Sequence, residues 1–144
     1  IESLGRISSY EVEDILRDAY ESEIHELKQS SIYAMGQSSN AMWLSIVLQE
    51  METDVPSIRY EAVIAAGLLG DETTVPYLVS ILDDYEIDVL IAAISSLGLI
   101  GGELAGRALR KCLGSGDDVI EEAVNEALQQ IEFYNDPMGT TFEV

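Results

Sequence analysis

Apolar residues in this chain return to the same register every 31 positions. Leu4-Gly5, Met35-Gly36, Ala66-Gly67 and Leu97-Gly98 form one column, and the next step lands on Leu128-Gln129. A second column reads Leu27, Ile58, Val89 and Ile120, a third Leu16, Val47, Leu78 and Leu109, and a fourth Tyr20, Met51, Leu82 and Leu113. Independent columns sharing one period are the mark of stacked structural repeats. Within a unit, Ile58, Ala62, Ala65, Ala66 and Leu69 follow the i, i+4, i+7, i+8, i+11 course of one helical face, which defines a helix A. Gly70-Asp71 supplies its stop. Thr73 or Thr74 then reads as an N-cap before Val75-Pro76, and Val75, Leu78, Val79 and Leu82 give the apolar face of a helix B. Asp54 before Pro56, and Asp118 with Glu121, read as acidic caps of later A helices.

The pattern predicts the tail of an A helix at 1–6, B helices at 10–21, 40–52, 73–83 and 103–113, and A helices at 23–36, 55–69, 86–100 and 118–134. The expected organisation is one array over 1–134, with a partial first repeat at 1–22, repeats at 23–53, 54–84 and 85–115, and a last helix at 118–134, followed by a tail at 135–144. A single hairpin cannot bury both of its faces, so neighbours must stack and share a core. The fold class expected is all-α, a right-handed α-solenoid of helical hairpins. Small residues at Ser31, Ala62 and Ala93, and at Ala34, Ala65, Ser96 and Ala127, would let helices approach closely. Ile1 falls inside a helix whose first turns are missing, and no polar outer face protects Leu4 and Leu16, so an excised fragment of a longer protein is expected.

Charge changes the picture more than composition does. The chain carries 27 Asp and Glu against 7 Lys and Arg, a net charge of -20, and has no basic residue between Arg59 and Arg107. Such a field repels nucleic-acid backbones and anionic membranes and attracts a protein with basic patches. Cys112 is the single cysteine, which excludes an internal disulfide framework. Residues 1–4 have neither the basic start nor the apolar run of a secretory leader, and the stretch 89–100, broken by Ser95, Ser96 and Gly98, is too short for a bilayer. A soluble, cytoplasmic chain is expected.

The run Pro56-Ser57-Ile58-Arg59-Tyr60-Glu61-Ala62, continuing through Gly67-Leu68-Leu69-Gly70-Asp71 to Val75-Pro76-Tyr77-Leu78, resembles the short HEAT repeats first noted in phycobilisome lyases. The likeness is close in the unit 55–85. It departs at Leu90, at Gly101-Gly102, and at Glu121 and Gln129, while the apolar columns persist. The resemblance implies a curved array that binds proteins on its inner surface, where the B helices lie. It leaves open an accessory subunit or fragment of a phycobilin lyase-like or other HEAT-repeat enzyme.

Residues for catalysis are scarce, so no cofactor, metal or enzymatic activity is expected. The iron-binding His-Glu pairs of deoxyhypusine hydroxylase occupy the column held here by Gln29, Tyr60, Ile91 and Glu122, which leaves His25-Glu26 out of place and alone. HEAT-like DNA glycosylases have a basic groove, which the acidic balance here contradicts. The run from Asp83 to Asp88 lacks the alternating ligands and central Gly of a calcium loop, and Arg107, Arg110 and Lys111 suit the end of a helix. Two surfaces remain for a partner. On the B helices the expected contact residues are Met42, Trp43, Ile46, Gln49, Tyr77, Ser80, Arg107 and Lys111, types that interfaces favour, although the Trp43 column continues as Thr74 and Ala105 and also suits packing. On the A helices, Tyr33, Ile64, Tyr60 and Ile91 would form an outer apolar patch suited to a weak homodimer or a second partner.

Overall fold

The computed structural model describes residues 8–136 and Met138. The helix expected at 1–6 and most of the tail lie outside the described residues. Among them there are eight α-helices and no strands: α1 Ser9–Glu21, α2 His25–Gln37, α3 Leu44–Glu50, α4 Pro56–Leu69, α5 Val75–Ile81, α6 Ile87–Ile100, α7 Glu103–Lys111 and α8 Asp118–Asn135. The helices α2, α4, α6 and α8 stack side by side in chain order as one layer. The helices α1, α3, α5 and α7, the last three of them short, each lie against the stacked helix that follows. The helical repeat expected from the apolar columns is thus present, and its core runs continuously from Ile32 to Ile131.

The helix starts are built differently from expectation. Thr74 holds the N-cap position of α5, as expected, but makes no side-chain cap bond; that bond comes earlier, from Asp71, whose carboxylate accepts from the Thr73 amide at 2.8 Å at the head of the 3-10 turn Glu72–Thr74. Thr74 is buried, its hydroxyl turned back onto the Asp71 carbonyl. Asn40 repeats the device ahead of α3, accepting from the Met42 amide before a 3-10 turn at Ala41–Trp43. Val55, not Asp54, is the N-cap of α4, where Pro56 needs no amide partner. At α8 the cap is Asp117 rather than Asp118, and Glu121 instead accepts from the Gly114 amide at 2.9 Å. At α1 a full capping box joins Ser8 and Glu11. Gly70 ends α4 in the left-handed conformation, with φ of 67°, where a β-carbon would be strained.

The stacked layer depends on a repeated close approach. A β-carbon on Gly36 would fall 2.6 Å from Ala65 Cα, one on Gly67 2.5 Å from Ser96 Oγ, and one on Gly98 2.9 Å from Ala127 Cβ. Each long helix therefore offers a glycine to a small residue of the next. Ser96 adds a buried hydrogen bond to the Val63 carbonyl at 2.8 Å, fixing the sliding register of α6 on α4.

Two polar clusters tie the layers together. Glu50 of α3, only 5% exposed, accepts from Tyr20 of α1 and faces Lys28 Nζ of α2 at 3.4 Å. Burial first, and then the Glu50 carboxylate, push the Tyr20 phenol well above its ordinary range. Arg59 of α4 grips Asp84 with two hydrogen bonds, of 2.7 and 3.0 Å, and donates a third to the Thr53 carbonyl at 2.8 Å. Burial alone would raise the Asp84 carboxyl; the Arg59 guanidinium and the Glu86 amide outweigh it and hold the group below its usual value. A depressed acid stabilises the fold above its unfolded value and loses that contribution as pH falls through the folded one. Asp84→Asn is accordingly expected to cost about 2 kcal/mol at pH 7, in the range of a charge-assisted hydrogen-bonded pair. In denaturation titrations its deficit against the wild type should be constant above about pH 4 and shrink below it. A deficit unchanged down to low pH would contradict the assignment.

Candidate partner-binding surfaces

The layer of short helices presents most of the residues expected there. Met42 and Tyr77 are 38% and 41% exposed; Gln49, Ser80, Arg107 and Lys111 are exposed, and Ile46 is half-buried. Arg107 Nη2 lies 3.1 Å from Glu103 on the same helix, an exposed pair that fixes little. Trp43 is the exception and a correction. It is 1% exposed, in the same register as buried Thr74 and Ala105, with the Arg17 guanidinium 5.0 Å from the centre of its ring. A side chain with no free face cannot meet a partner, so Trp43 belongs to the core.

The opposite layer carries a groove. Between α4 and α6 a cavity of about 740 Å³ has Tyr60, Ile64, Leu68, Ile91 and Leu99 for its apolar walls, with Pro56, Ser57, Val89, Ala92 and Ser95 completing it. A second cavity, of about 550 Å³, continues it across α2 with Tyr33, Ser30 and Glu26. Gln29, Tyr60, Glu61 and Ile64 line both, so the two form one trough. All four apolar residues singled out in the sequence for this face, Tyr33, Tyr60, Ile64 and Ile91, line it. Sequence reasoning missed Glu61, Leu68 and Leu99. Glu61 had a legible signal, a charged residue on a half-buried helix position with no Lys or Arg three or four residues away.

Among the described residues no Lys or Arg lines the trough, whereas Glu26, Glu61, Glu86 and Asp88 do. Arg59 is adjacent in sequence but is engaged by Asp84 and the Thr53 carbonyl. His25 reaches the margin, its Nε2 2.8 Å from Ser57 Oγ. Burial raises the Glu61 carboxyl above its ordinary value, and among the described residues no cation faces it.

No group of three or more His, Cys, Asp or Glu is gathered for a metal among the described residues. The Cys112 thiol is pushed up by burial and by the charge of Asp83, and it points to the Ala108 carbonyl at 3.5 Å. Among the described residues no helix is long and apolar enough to cross a membrane.

Among curated proteins none matches the chain. The family of HEAT repeats matches residues 44–129, from α3 into α8 and more than half of the sequence. With layered helical hairpins and matching columns already in place, the chain belongs to the HEAT repeat family.

Proposed function

We propose that this chain is a non-catalytic protein-interaction scaffold, a right-handed solenoid of 31-residue units in the cytoplasm that holds a partner bearing basic patches. HEAT arrays are commonly interaction scaffolds, and extended surfaces suit that use. The observation that carries the reading is the row of side chains on the short helices that packing leaves free: Met42, Gln49, Tyr77 and Ser80, with Ile46 half-covered, and Arg107 and Lys111 at the α7 end. Met, Tyr and Arg are enriched at protein interfaces, and the net charge of -20 favours a basic partner over nucleic acid or an anionic membrane. Repeats of the phycobilisome lyase type enter this proposal as architecture alone, with no chromophore chemistry.

Affinity capture with the purified chain tests the surface. The wild type is expected to retain a specific basic protein, and the double substitution Ile46→Asp and Tyr77→Asp to lose it while keeping its helical circular dichroism. Equal capture by both would remove the short-helix face from the reading. Substitution at an exposed position such as Tyr77 changes stability by no more than about 0.5 kcal/mol, and because Ile46 is half-buried, an unchanged melting temperature of the double variant is needed for lost capture to report on binding.

A further inference from the structure

We propose that the trough across α2, α4 and α6 binds an extended segment of a partner protein in which Lys or Arg alternates with aliphatic residues, one cation seating on Glu61. This site lies on the layer opposite the scaffold surface proposed above and stands or falls separately from it.

Shape and charge argue for this occupant. Helices packed at about 8–10 Å put the outer two of three roughly 20 Å apart, a span covered by about six residues of extended chain. Along that span the floor is aliphatic, at Ile64, Leu68 and Leu99, and offers burial to every second side chain of a strand-like segment. The charged residues that line the trough among the described residues, Glu26, Glu61, Glu86 and Asp88, are all acidic, which suits the intervening cations. Glu61 lies where the two cavities meet, partly stripped of water and facing no cation among the described residues. A carboxylate in that state costs the free protein stability and recovers it when a guanidinium or ammonium arrives. A second copy of this chain fits poorly, because it would bring another charge of -20 and set one acidic rim against its twin.

The test is fluorescence anisotropy with labelled synthetic octapeptides at about 0.15 M salt, where long-range attraction is screened. Three probes are needed: alternating Leu and Lys, alternating Ser and Lys, and alternating Leu and Glu. The wild type is expected to bind the Leu-Lys peptide saturably, at least about tenfold tighter than Ser-Lys, and to ignore Leu-Glu. Glu61→Gln should weaken binding about tenfold without lowering the melting temperature, since it removes a desolvated charge. Ile64→Asp should abolish binding, and Leu99→Ser, a milder change in the same apolar lining, should weaken it if Ile64→Asp fails to fold. Tyr77→Asp, on the other layer, should change nothing.

Equal binding of Leu-Lys and Ser-Lys would show mere attraction to an acidic surface and overturn the proposal. So would full binding by Glu61→Gln together with Leu99→Ser, loss of binding in Tyr77→Asp, or no saturable binding at all. Light scattering that finds a dimer abolished by Leu99→Ser would assign the trough to a second copy and also refute it.

Discussion

Trp43→Ala is expected to destabilise the protein by about 3–5 kcal/mol, the cost of emptying a large buried aromatic site. The side chain is 1% exposed, and Arg17 covers its ring from α1. Domains are stable by only about 5–15 kcal/mol, so a loss of this size would dominate urea denaturation curves. Because a stacked array is stabilised by neighbours, the damage should also be local. Amide exchange is expected to accelerate in α1 to α4 and to stay near wild type in α6 and α8. Uniform acceleration would mean that the array unfolds as one unit. A change below about 1 kcal/mol would return Trp43 to the surface, as the sequence alone allowed.

Glycine substitutions should divide into those that a neighbour can relieve and those that it cannot. Gly36→Ala places a methyl 2.6 Å from Ala65 Cα, which is backbone, so changing Ala65 to Gly offers no room. Gly67→Ala instead meets Ser96 Oγ at 2.5 Å and Cβ at 2.8 Å, both removed by Ser96→Gly. Alanine gains about 1 kcal/mol of helix propensity over glycine, while overpacking costs about 1–3 kcal/mol or more. A net loss of about 2 kcal/mol is therefore expected for Gly36→Ala, unchanged or worse in the double variant. For Gly67→Ala the partner change should restore about half of the loss; the rest reflects the forfeited hydrogen bond from Ser96 to Val63 and the remaining 3.0 Å approach to Ser96 Cα. Thermal denaturation of the four variants decides the matter. Equal rescue in both pairs would mean that the helices slide apart freely and that the glycines do not set their spacing.

Much of this organisation was legible in the sequence because apolar periodicity reports directly on what a helix buries. In the middle of the array the columns are buried, at Ile58 and Val89 and at Val47, Leu78 and Leu109, while the end members Leu16 and Ile120 are half-buried and Leu27 is exposed. Helix starts were less legible. Asp71, Thr73 and Thr74 can all cap, and only the backbone path through the 3-10 turn gives the cap bond to Asp71 while leaving Thr74 at the N-cap position of α5. Trp43 was ambiguous for a related reason: its column mates Thr74 and Ala105 are small or polar, types found both in cores and at surfaces, and only the packing of α1 over the ring decides between them. On the other layer, Tyr33, Tyr60, Ile64 and Ile91 announced an apolar face. That the face is concave, and that Glu61 lies at its centre, depends on the spacing of three helices, which no single helix encodes.

The joints between successive long helices have a genetic consequence. Gly36 with Ala65, Gly67 with Ser96, and Gly98 with Ala127 are the same joint made three times, each pair 29 residues apart. Copying one unit in frame brings along both halves of that joint, so tandem duplication can lengthen the protein without inventing a new contact. A copy of the unit that carries Tyr60, Glu61 and Ile64 would also widen the trough by one helix, and a lineage could thereby alter the length of peptide it grips through a change in copy number.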